Sequence, residues 1–203
     1  SDSQNQNATN RQKRLKQAQA TLESLQLAEL VNFFRADCLT PNAVDIAKVD
    51  RSAAVLYPII LENSLEVILS LPQQPLQHYS TCISRLQIED KIGDLRLELR
   101  DPTSKDYLVN VKKLYDWLIR PAASQIAQSG VKTLVFVLDG ELRDIPMAAL
   151  HDGQSFLAEA YNISLTPGLQ LLDPQPLAKD PIAAITAGLS KVGPSFGPLK
   201  LTP

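Results

Sequence analysis

The chain has 203 residues, 44% of them hydrophobic and 21% charged, which suits one domain with a substantial core or one domain plus an extension. A net charge of −2 and an isoelectric point near 5.7 leave no basic field for nucleic acid or an anionic membrane. Two cysteines, Cys38 and Cys82, make no disulfide framework, and neither a CxxC nor a Cys/His cluster suggests a metal. No cofactor is expected, and the cysteine usage fits a reducing, cytoplasmic compartment. No apolar run reaches the ~18 residues that a spanning helix needs. The chain starts without Met, as an excised piece of a longer protein would.

Residues 1–16 are polar and read as a disordered lead-in. From Leu15 onward, Ala18, Leu22, Leu25, Leu27, Leu30, Val31 and Phe34 recur at spacings near three and four. That pattern predicts an amphipathic helix over 17–40, ending before Thr40-Pro41. One such helix is compatible with the end of an upstream helical array. Ala53 to Leu61 and Leu65 to Leu71 are rich in Val, Ile and Leu and flank Glu62-Asn63-Ser64, so they predict a β-hairpin. Pro58 inside the first run points to an edge strand or a bulge. A third strand is expected from His78 to Ile83, and a surface helix from Gln87 to Arg100, broken at Asp101-Pro102.

Tyr107 to Ile119 predicts a second helix, with Leu108, Val111, Leu114, Tyr115 and Leu118 on one face and Trp117 near its end. Pro121 opens a further helical stretch through Ile126, and Gly130 stops it. The continuous apolar run that follows, VKTLVFVL, reads as a strand buried on both faces, the signature of an α/β sheet. Asp139-Gly140 then turns the chain, Ile145 to Leu150 forms a short apolar piece, and Phe156-Leu157-Ala158-Glu159 and Tyr161 to Leu165 follow as a second βα-type unit. Leu169 to Leu172 and Ile182 to Leu189 are further apolar runs before a Pro- and Gly-rich end.

Four stretches resemble one known family in the expected order: AAVLYPIIL-ENSLEVILSLP, KKLYDWLIRP, VKTLVFVLDGELRDIPMAALHDG and FLAEAYNISLTPGLQLLDPQPL. Together they resemble the N-terminal portion of the CHAT domain, a caspase-like module that often follows tetratricopeptide repeats and is common in cyanobacteria. The resemblance implies an α/β fold: a caspase-like sheet with flanking helices, preceded by the hairpin and the N-terminal helix. Residues 50–203 would form this portion. It also implies a cysteine-peptidase dyad, in which a His deprotonates a Cys thiol for attack on a peptide carbonyl. The family's His and Cys lie in Ala-Thr-His-Gly-like and Ser-Ala-Cys-Glu-like motifs on later strands, and neither motif occurs here. The expected partners are a protein or peptide substrate and an upstream tetratricopeptide-repeat region.

Within the chain no residue is expected to be catalytic. His151, beside Asp152, reads as the polar end of a short helix at an Asp-Gly turn rather than a base, and His78 reads as structural. His78 and Cys82 are four apart, about 13 Å along a strand, too far for a dyad. Asp139, Arg143 and Asp144 occupy a loop at the carboxyl end of a central strand, where open α/β sheets place ligands. They are the candidate substrate-binding residues, pairing with a substrate carboxylate or a basic side chain. The blander expectation is that an Arg-carboxylate pair pins the loop. For the intact protein two readings stand: a peptidase, or a pseudo-enzyme serving as an interaction scaffold.

Overall fold

The continuous apolar run at 134–138 dictates the architecture, because a strand with no polar side must be covered on both faces. In a computed structural model that describes residues 2–34, 51–101, 103 and 105–166, this run is the core of β4 (Thr133–Val137). It lies in a five-stranded sheet with β1 (Ala53–Ile60), β2 (Leu65–Ser70), β3 (Gln77–Thr81) and β5 (Asn162–Thr166). The spatial order is β3-β2-β1-β4-β5. The β1–β2 and β2–β3 pairs are antiparallel, whereas β1–β4 and β4–β5 are parallel. The hairpin turn falls at Glu62-Asn63-Ser64 as the sequence suggests, with Leu61 donating to the Ser64 carbonyl at 2.9 Å.

Pleating sorts the side chains into two cores. Leu134 and Phe136 of β4 join Ala54 and Leu56 of β1 and Val67 and Leu69 of β2 on one face. There they meet α2 (Arg85–Glu98), α3 (Tyr107–Leu118) and α4 (Ala123–Gln128). Val135 and Val137 point the other way, into a smaller cluster with Val55, Tyr57, Ile68 and Leu22. Among the described residues the element that covers this second face is α1 (Asp2–Phe34).

Local chemistry places the ends of these elements. Ser84 caps α2 by accepting the Gln87 N–H, while the Gln87 side chain accepts the Ser84 N–H, a reciprocal box that satisfies two otherwise orphaned donors. Along α2 only Ile88, Ile92 and Leu95 are buried, whereas Leu97 is exposed, as is Leu99 just past the helix end. Gly130, with φ +71°, turns the chain from α4 into β4 in a left-handed conformation costly for other residues. β1 is an interior strand, contrary to the edge position expected from its proline. Pro58 sits past the last parallel pair, Leu56 with Phe136, where β1 has a single partner, so the missing N–H leaves that ladder intact.

Two expectations for the N-terminus are corrected. The polar segment 1–16 is not a loose lead-in: the helix starts at Asp2. Its Gln, Ala, Lys and Arg residues are good helix formers, and contacts further on hold it, with Gln12 donating to the Leu76 carbonyl at 2.7 Å and Leu15 packing on the second cluster. The buried face also differs from the Leu stripe. Leu22 is buried, but Ala18 and Leu25 are exposed, and Glu23 and Gln26 are buried instead. Tyr57 explains the exchange, since its hydroxyl emerges beneath the helix and donates to Glu23 Oε1 at 2.7 Å while accepting from Gln19 Nε2 at 2.8 Å. Gln26 reaches the Leu138 carbonyl at 3.3 Å. The side chains of Leu30, Val31 and Phe34 and all of residues 35–50 and 167–203 lie outside those described, and with them the predicted end of the helix at residue 40, Cys38 and the apolar runs at 169–172 and 182–189.

Val137 is fully buried, so Val137→Asp should remove about 3–5 kcal/mol or more and unfold the chain; an unchanged thermal melt contradicts the two-sided burial. Tyr57→Phe should cost about 1–2 kcal/mol by leaving buried polar groups short of a partner. It should also speed amide exchange across residues 15–29 more than in α3, which mass spectrometry after deuterium labelling would read out.

Candidate functional site

The parallel strands β1 and β4 end on the same side of the sheet, and their carboxyl ends open into a cleft of about 210 Å³. Leu22 of α1, Pro58, Ile60, Arg85, Asp139 and Leu142 line it. The floor is apolar because the sheet's cores reach it; the rim is charged because the chain leaves β4 through the 3₁₀ turn Gly140–Asp144. Asp139 starts that turn by accepting the Gly140 N–H at 2.7 Å, and Gly140, at φ +51°, supplies the left-handed residue that the turn requires.

The loop's three candidate residues are divided between two helices. Arg143 donates through Nε to the Leu138 carbonyl at 3.1 Å. Its Nη2 lies 3.2 Å from Glu29 Oε2 of α1 and 3.8 Å from Asp139 Oδ1. Asp144 turns away and pairs with Arg96 of α2 at 2.9 Å. Asp139 and Arg143 are therefore brought together, and Asp144 is not part of their group. All of these side chains are roughly half exposed, so each pair contributes at most about 1 kcal/mol, and their main effect is to fix where the loop sits. Glu29 and Arg96 carried no sequence signal, since they meet the loop from 114 and 48 residues away.

Both histidines have structural partners. His151 Nδ1 accepts the Gly153 N–H at 3.0 Å, and its ring stands edge-on to Phe156 with centroids 4.8 Å apart. Asp152 closes the same turn, accepting the Ser155 and Gln154 N–H groups, and these two bonds hold its carboxyl below the usual range. His78 lies 2.6 Å from Glu66 on the neighbouring strand, and Ser80 donates to the other Glu66 oxygen at 2.8 Å. Cys82, just past β3, is exposed. Tyr79 anchors β3 to α3 by donating to the Leu118 carbonyl at 2.6 Å; burial pushes its phenol well above its ordinary range.

Residues 109–192 match the CHAT domain, from the first turn of α3, through β4 and its loop, past the end of β5. Over that stretch the chain is similar to part of a CHAT domain. Its five-stranded mixed sheet with flanking helices is consistent with the caspase-like α/β fold that the CHAT resemblance implies, but the hairpin expected to precede that sheet is part of it, because β1 pairs with β4 as well as with β2. No curated protein matches the chain. Among solved structures it is similar to an exopolyphosphatase from Cytophaga hutchinsonii, at 20% identity and a TM-score of 0.28, over 43% of this chain and 27% of that one. A PilM–PilN type IV pilus biogenesis complex aligns at 16% identity and a TM-score of 0.29, over 60% of this chain and 38% of that one. The chain thus spans well under half of either structure, and neither likeness bears on function. Among the described residues no helix is long and apolar enough to cross a membrane, and no group of three or more potential metal ligands occurs.

Burial raises the Glu66 carboxyl, but hydrogen bonds from Ser64, Ser80 and His78 and the charge of His78 outweigh it, and the folded value lies below the ordinary one. A depressed carboxylate stabilises the fold above its unfolded pKa, and that contribution is lost as pH falls through the folded value. The stability gap between the parent and Glu66→Gln should therefore be constant from pH 7 to about 5 and close below about pH 4. A gap unchanged in denaturant melts down to pH 3 would show that the carboxylate contributes nothing.

Proposed function

We propose that this chain is the N-terminal, non-nucleophilic part of a cytoplasmic caspase-like cysteine peptidase. The intact protein would hydrolyse peptide bonds in a protein or peptide substrate under the control of an upstream tetratricopeptide-repeat region. The observation that carries this reading is the CHAT match laid over β4 and the loop at its carboxyl end, the position where sheets of this kind present ligands. In this reading the chain contributes scaffold and rim, and the His and Cys motifs of the family come from sequence outside it. Asp139, Arg143 and Asp144 are the proposed substrate contacts. Arg143 would exchange Glu29 for a substrate carboxylate, and Asp139 or Asp144 would receive a basic side chain. A second reading, an interaction scaffold with a caspase-like fold, is favoured by the two sheet edges, β3 and β5, that have a single paired neighbour among the described residues.

The purified chain should cleave no member of a peptide library, whereas the same chain extended along its gene through the His and Cys motifs should. Arg143→Ala in the extended protein should lower kcat/KM about tenfold or more for substrates with an acidic group, with little change for neutral ones. Cleavage by the chain alone that disappears in Cys82→Ser would refute the non-nucleophilic assignment. An inactive extended protein that retains those motifs would favour the scaffold.

A further inference from the structure

The β3 edge of the sheet has the features of a peptide-docking strand. Among the described residues β3 pairs with β2 on one side only, so the backbone N–H and C=O groups of alternate residues face outward. Its sequence, QHYST, contains none of the devices that usually blunt such an edge: no lysine, no proline and no inward-pointing charge. Beside it runs a groove of about 520 Å³, within the usual range for ligand clefts, walled by Ala8 and Arg11 of α1, Pro75 and Leu76 before the strand, and Pro121 and Gln125 beyond α3. The helix already exploits this edge, since the Gln12 amide donates to the Leu76 carbonyl at 2.7 Å.

Charge selects the occupant. Of the residues lining the groove, only Arg11 and His78 can carry a charge, and His78 is engaged by Glu66. Arg11 is exposed and makes no ion pair among the described residues. Lys13, Arg14 and Lys16 follow it on the same half of α1, where the only acidic residue before Glu23 is Asp2. We propose that the groove between α1 and β3 binds an extended acidic peptide segment that adds a strand to β3, its carboxylates drawn to Arg11 and the basic half of the helix. Backbone hydrogen bonding to β3 gives the geometry, and Arg11 gives the selectivity, with Lys13, Arg14 and Lys16 adding positive potential from outside the groove. The inference is independent of the peptidase reading, because it concerns the far edge of the sheet from the β4 loop.

The test uses the full 203-residue chain and a fluorescein-labelled eight-residue peptide alternating Glu with Val or Thr. Fluorescence anisotropy should show saturable binding, at least about tenfold weaker for the fully N-methylated peptide and for the version with Lys in place of Glu. Arg11→Glu, at an exposed helix position that leaves the melt unchanged, should weaken the acidic peptide by a similar factor and strengthen the Lys version. Amide exchange at 77–81 should slow on binding. Equal affinity for the N-methylated peptide, protection at 162–166 instead, or no binding at millimolar peptide would each overturn the proposal. So would peptide-free dimerisation in the ultracentrifuge that itself protects 77–81, which would assign the edge to a second copy.

Discussion

Everything in this chain is arranged around the burial of β4 on both faces. A strand reading Leu-Val-Phe-Val cannot present a side to water, so one set of helices must cover Leu134 and Phe136 and another element must cover Val135 and Val137. The first cover is generous, three helices contributing Val111, Leu114, Ile126 and their neighbours. Among the described residues the second is sparse. There it rests on Leu22 and Leu15, supplemented by hydrogen bonds through Gln19, Glu23 and Gln26. The asymmetry means that the two faces are held by different physics: one by area removed from water, the other largely by directional polar contacts that work only at one register.

This division also explains what the sequence disclosed. Elements whose residues face a large apolar core betray themselves through periodicity, and the hairpin, α3 and β4 were legible to within a residue or two for that reason. α1 was legible as a helix but not in its buried face. Hydrophobic spacing nominated Leu25, whereas the decisive partner was the hydroxyl of Tyr57 in a strand 34 residues away, which rewards a glutamate and glutamines. A polar stripe carries no sequence signature, because the same residues in the same order would suit a solvated surface. The helical state of residues 2–16 was hidden for a related reason: it is supported by contacts such as Gln12 with Leu76, across 64 residues, and not by local pattern.

The loop after β4 shows the limit from the other side. Its position at the carboxyl end of a central strand followed from strand–turn grammar alone. The pairing of its charges did not, since Glu29 and Arg96 come from two helices on opposite faces of the sheet. Each histidine adjoins the turn or strand chemistry that its sequence neighbours suggest, yet the partner of His78 was not foreseeable before β2 and β3 were in register. The loop is thus a joint between the layers, fastened to α1 through Arg143 and to α2 through Asp144.

The polar clasp of Tyr57 with Gln19 and Glu23 has a mechanical meaning. A helix of 33 residues is a beam about 50 Å long, and the clasp grips it nearer one end than the other. Arg11, beside the β3 groove, and Glu29, beside the β4 loop, fall on opposite arms of that fulcrum, about 18 Å and 9 Å from Glu23 at 1.5 Å of rise per residue. A tilt of about 5° carries the first arm roughly 1.6 Å one way and the second roughly 0.8 Å the other. A rigid-body tilt of this kind would couple the β3 groove to the β4 loop, with displacements in a ratio of about two.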